Sequence, residues 1–110
     1  MRKLLHKWFY RERELGQEEL VKPYFVKAKQ AVLGNELAKA IAHLDCGIKL
    51  APNHLRLYLT RAQIFQYGLN NYSRALRDYR HILRALEQQP DENLAVQCRE
   101  AMKDMMNPVT

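Results

Sequence analysis

Hydroxyl and turn-forming residues are scarce in this chain of 110 residues: Ser73 is its single serine, Thr60 and Thr110 its only threonines, and it has four glycines and four prolines. That leaves little material for hairpin turns and none for a serine-nucleophile triad, so an all-β fold and acyl-transfer chemistry both fall behind. Cysteine is equally sparse. Cys46 and Cys98 stand 52 positions apart and belong to no C-x-x-C pair, which argues against a zinc site or a disulfide framework and for a reducing, intracellular and cytoplasmic setting. No apolar run approaches the roughly 20 residues that span a bilayer. The N-terminus has no apolar core or small-residue cleavage site of a secretory signal, and its acids speak against a mitochondrial presequence.

What is present is a helical composition, 47% hydrophobic and 27% charged, with a net charge of +6 that favours acidic partners without naming one. Apolar residues recur at helical intervals near 2–15, 20–33, 37–50, 55–67, 72–87 and 92–106, which predicts six helices. Breakers at Gly16, Gly34-Asn35, Pro52-Asn53, Gly68 to Asn71 and Pro90-Asp91 separate them. Along 72–87, Ala75, Leu76, Tyr79, Ile82, Leu83 and Leu86 share one side, while Arg74, Arg77, His81 and Arg84 share the other. Asp91 is placed to cap the last helix, whose Leu94, Cys98, Ala101, Met102 and Met105 form a face needing cover.

The sequence also repeats. Tyr24, Ala28, Ala40, Leu44, Gly47 and Pro52 are separated by 4, 12, 4, 3 and 5 positions, and Tyr58, Ala62, Ala75, Tyr79, Ile82 and Pro90 by 4, 13, 4, 3 and 8. An aromatic, a small residue four later, a second small residue opening the next helix, then a bulky residue and a proline resemble the tetratricopeptide repeat. Small residues let paired helices approach closely, bulky ones fill the space between hairpins, and proline stops the helix before it. The likeness implies an all-α, short right-handed solenoid of antiparallel helix hairpins, with an N-terminal helix (1–20), repeat one (21–54), repeat two (55–90) and a C-terminal capping helix (91–110). Departures mark the repeats as divergent: Lys27 and Arg61 replace the usual leucine, Ala31 a tyrosine, Gly47 an alanine, and one extra residue falls near Gly68 to Asn71. Stacked repeats usually need about three units, so the flanking helices, a second copy of the chain or a partner are expected to complete the core.

In this family the first helix of each repeat lines a concave groove that holds a partner peptide. By position that groove presents Lys22, Phe25, Lys29 and Val32 from the first repeat and Arg56, Leu59, Gln63 and Gln66 from the second. Such a set suits a protein segment mixing acidic and hydrophobic residues, and so an adaptor, scaffold or assembly subunit. The plainer alternative is that Phe25, Val32 and Leu59 pack against the flanking helices. The chaperone-tail clamp known in this family is disfavoured, since Phe25, Lys29 and Thr60 stand where its Lys and Asn residues would be and the third repeat is missing.

Two stretches invite another reading. The N-terminal segment combines five cations by Arg13 with Leu4, Leu5, Trp8 and Phe9, a composition for an anionic membrane surface or for stacking on nucleic acid. Arg74, Arg77, Arg80 and Arg84 form a stripe of the kind that contacts phosphates. A packing helix and a solvated helix face account for them more simply, because Glu12 and Glu14 interrupt the first and no nucleic-acid motif accompanies the second. His6, His43, His54 and His81 have no metal-ligand spacing, each glycine stands alone, and neither thiol has a placed base. Neither a catalytic residue, a metal nor a cofactor is expected.

Overall fold

The computed structural model describes the backbone of residues 2–107 and the side chains of residues 16–107, so Trp8, Phe9 and the rest of the N-terminal apolar cluster lie outside the described side chains. Among the described residues there are helices and no strands. In chain order they are α1 (Arg2–Leu33), α2 (Leu37–Leu50), α3 (Leu55–Gln63), a π-helical turn (Ile64–Gly68), α4 (Tyr72–Ala85) and α5 (Glu92–Met106). No helix is long and apolar enough among these residues to cross a membrane.

Five α-helices stand where six were expected, because the segments 2–15 and 20–33 belong to one helix that runs through Gly16. A lone glycine costs a helix about 1 kcal/mol and leaves its hydrogen bonds intact, so it weakens without terminating. Pro23 also lies inside α1. It removes one backbone donor, and because Pro23 and Glu19 are both exposed, the Glu19 carbonyl left without that donor lies on the solvent side.

The chain divides into two compact units, Met1–His54 and Leu55–Thr110. In the first, α1 packs on α2. Val21, Ala28 and Ala31 from α1 and Ala40, Leu44 and Gly47 from α2 are buried, so the interface is built largely of small side chains that bring the backbones close. The turn between them is a Schellman closure in which Glu36 N–H donates to Ala31 O at 2.8 Å and Asn35 N–H to Val32 O at 3.0 Å. Asn35 supplies the left-handed residue that closure needs, at φ 58°, whereas the neighbouring Gly34 keeps ordinary backbone.

The second unit packs α3 on α4 and α4 on α5. Ala62 and Ala75 are fully buried, as Ala40 is and Ala28 nearly is in the first unit, and Tyr79 and Ile82 are buried with them. Asn71 caps α4 by accepting from Arg74 N–H at 3.3 Å, and Asp91 caps α5 by accepting from Leu94 N–H at 3.1 Å. On α5, Leu94, Cys98 and Ala101 are buried while Met102 and Met105 are half-exposed.

The π-helical turn widens the end of α3 by one residue. Its backbone bonds skip one residue more than an α-helix does, as in Leu69 N–H to Ile64 O at 3.0 Å. The widened turn leads into Asn70, which is left-handed at φ 51° as Asn35 is.

Candidate protein-interaction surface

On α1, Lys22, Phe25, Lys29 and Val32 follow one another at three- and four-residue steps and share a stripe. Lys22, Lys29 and Val32 are exposed. Phe25 is half-buried, its ring tilted against the His54 imidazole with 5.7 Å between centroids. His54 Nε2 in turn lies 2.7 Å from Glu18 Oε1, which ties the end of the first unit back to α1. Its Nδ1 is buried and has no hydrogen-bond partner among the described residues.

On the second unit the expected stripe is interrupted. Arg56 and Gln63 are exposed, but Leu59 is 9% exposed and Gln66 4%. Gln66 does not face solvent as regular helical spacing predicts, because the widened turn carries one additional residue and turns Ile64, Phe65 and Gln66 all inward. Its amide is already used: Nε2 donates to Ala101 O at 3.0 Å, and Oε1 accepts from the Tyr79 hydroxyl at 2.7 Å. A side chain with both polar ends satisfied internally offers nothing to a partner, so Gln66 is removed from the candidate set.

Beside it lies an ion pair that sequence spacing did not anticipate. Arg61 Nε and Nη2 donate to Asp78 Oδ2 and Oδ1 at 3.0 and 2.7 Å, and the Asp78 side chain is only 4% exposed. Arg61 also lies over the Tyr58 ring at 5.5 Å, and His81 stacks on that ring with centroids 4.2 Å apart. The bidentate contact from Arg61 satisfies a carboxylate inside the unit. A signal for Asp78 was available: it stands three after Ala75 and four before Ile82, on the buried stripe of α4.

Burial in this interior opposes ionisation of its tyrosine hydroxyls and of the Cys98 thiol. Burial pushes the Tyr58 hydroxyl above its ordinary 10.0, with Arg61 pulling it down and Asp78 pushing it up. Burial likewise raises Tyr79 strongly and pushes the Cys98 thiol up to about 11. These groups act as neutral packing and hydrogen-bonding elements. No group of three or more His, Cys, Asp or Glu side chains is gathered as a metal site among the described residues.

On the outer side of α4, Arg74, Arg77, Arg80 and Arg84 are all exposed, and Arg74 lies over the Phe65 ring at 5.7 Å. Compared with known proteins, this chain has no match to a family model, a curated protein or a solved structure.

Proposed function

We propose that the chain is a non-catalytic protein-interaction module of tetratricopeptide-like, solenoid type, an adaptor or assembly subunit that takes an acidic and hydrophobic segment of another protein. The observation that carries this reading is positional. Ala28, Ala40, Leu44 and Gly47 are buried in one helical hairpin, and Ala62, Ala75, Tyr79 and Ile82 occupy the corresponding buried positions of the other. In a stacked-repeat reading these are the residues that must be small or space-filling, which leaves the polar residues of α1 and α3 for recognition. Lys22, Phe25, Lys29, Val32, Arg56, Leu59 and Gln63 are the recognition residues proposed here, with Leu59 contributing from a nearly buried position.

A second reading rests on the exposed arginines of α4. Among the described residues no carboxylate forms an ion pair with Arg77, Arg80 or Arg84, so their charge is free to meet a phosphate-bearing surface, nucleic acid or anionic membrane. The two readings separate in one experiment: affinity capture with the tagged chain at two salt concentrations, followed by mass spectrometry and nucleic-acid quantitation. A protein retained by the wild type and lost on combined Lys29→Glu and Arg56→Glu, with helical circular dichroism unchanged, is the expected outcome. Nucleic acid as the main species, released by salt, would instead favour the arginine stripe.

A further inference from the structure

Within the second unit, α4 and α5 border an open groove of about 440 Å³, formed by Leu83 from one side and by Arg99, Met102, Lys103 and Met106 from the other, with Asn107 at its end. Met106 is 80% exposed, and Leu83 and Met102 are half-exposed. Single exposed apolar side chains are ordinary, but three converging on one concavity form a patch that water covers poorly. The groove is too open to enclose a small molecule, which needs most of its surface buried.

Its charge has one sign. Two cations line it and no carboxylate does. Lys103 makes no ion pair with a described residue, and Arg99 reaches only Glu92, at 3.5 Å between exposed side chains, a contact that a competing carboxylate exchanges at little cost. On α4, Arg80 and Arg84 add positive charge beside Leu83, while the neighbouring acids Glu87, Glu100 and Asp104 are exposed and do not line the groove.

We propose that this groove is a second docking site, which receives an amphipathic helix of a partner protein whose apolar side chains lie on Leu83, Met102 and Met106 and whose flanking Asp and Glu residues meet Arg99 and Lys103. Met102 and Met106, four apart on α5, form one ridge, and Leu83 on α4 stands opposite it, so an apolar helix face can lie between them. Methionine is flexible and polarisable, so such a floor adapts to a partner's side chains. The cations set orientation and reject basic helices. The site shares no residue with the α1 and α3 surface proposed above and stands or falls separately from it.

The test uses the full chain and two labelled synthetic helices of about 18 residues, five turns, with identical leucine faces and either Glu or Lys on the flanks. Fluorescence anisotropy should show the Glu peptide binding at least about tenfold more tightly than the Lys peptide. Met106→Glu and Lys103→Glu, both at exposed positions, should each weaken that binding by about tenfold or more with unchanged circular dichroism, both in the wild-type chain and in a Lys29→Glu, Arg56→Glu background in which the other proposed surface is disabled. Equal affinity for the two peptides overturns the proposal, as does binding indifferent to both groove variants. Self-association of the chain alone that Met106→Glu abolishes would give the groove to a second copy. Binding to phosphatidylserine vesicles in preference to the Glu peptide would give it to a membrane surface.

Discussion

The two units bury small residues at similar spacings and differ in what surrounds them. Among the described residues, the buried positions of the first are Val21, Ala28, Ala31, Ala40, Leu44, Gly47 and Ala51, small or aliphatic, with the half-buried Phe25 ring set against His54, whose contact to Glu18 reaches a largely exposed carboxylate. The interior of the second adds Tyr58, Phe65 and Tyr79, and with them the polar contacts Arg61–Asp78 and Tyr79–Gln66–Ala101. Small residues therefore set where helices approach one another in both units, while the volume between them is filled by whatever the remaining positions supply. Larger side chains with polar ends need internal partners, and the second unit provides them.

The thiols give the widest contrast. Cys46 is exposed in the first unit and Cys98 buried in the second, with its ionisation held up to about 11. Iodoacetamide at neutral pH, followed by peptide mass spectrometry, should modify Cys46 faster by orders of magnitude, and denaturant should erase the difference. The same raised ionisation has a stability consequence. Because the folded-state value exceeds the ordinary 9.0, the contribution is complete below pH 9 and is lost as pH rises toward 11. Equal alkylation rates in the native protein would remove the contrast.

The next effect in size belongs to the ion pair. Arg61→Ala should destabilise by about 3–5 kcal/mol, because it leaves the Asp78 carboxylate buried without its partner. Asp78→Ala should cost less, since the Arg61 side chain is 21% exposed and can turn toward water. Urea denaturation of both variants measures the asymmetry. Equal costs would mean that Asp78 finds another donor.

Overpacking tests the shared part of the comparison. Ala40→Leu and Ala75→Leu, at fully buried helix contacts in the first and second unit, should each cost about 1–3 kcal/mol in thermal or chemical unfolding. If only one of them is costly, the two hairpins do not share one packing rule.

The left-handed turns refine it further. Asn35→Ala and Asn70→Ala should each lose about 1 kcal/mol, whereas glycine at either position should be close to neutral. Smallest of all, Arg77→Ala on the exposed side of α4 should move the denaturation midpoint by less than about 0.5 kcal/mol equivalent.

Much of this fold was legible because helical periodicity is a local property. The segments 37–50 and 92–106 coincide with α2 and α5, Asp91 caps α5, and the apolar side of α4 is the side that is buried. Gly16 was misleading for a reason equally local: a glycine lowers helix stability by a finite amount, and the flanking residues outweigh it. Of the residues expected to face solvent, Lys22, Lys29, Val32, Arg56 and Gln63 are exposed as helical spacing places them, whereas Gln66 escaped that reasoning because it assumes an unbroken α-helix.

Sequence by itself determined the helical class, the extents of α2 and α5 and the small residues at the helix contacts, since each depends on neighbours within a few turns. Only the tertiary structure decided which polar residues enter the interior. Asp78 is buried because Arg61, 17 positions earlier, reaches it, and Gln66 because Tyr79 and Ala101, 13 and 35 positions later, complete its hydrogen bonds. The desolvation cost of each group is offset only by a partner distant along the chain, and that pairing exists once the helices have packed.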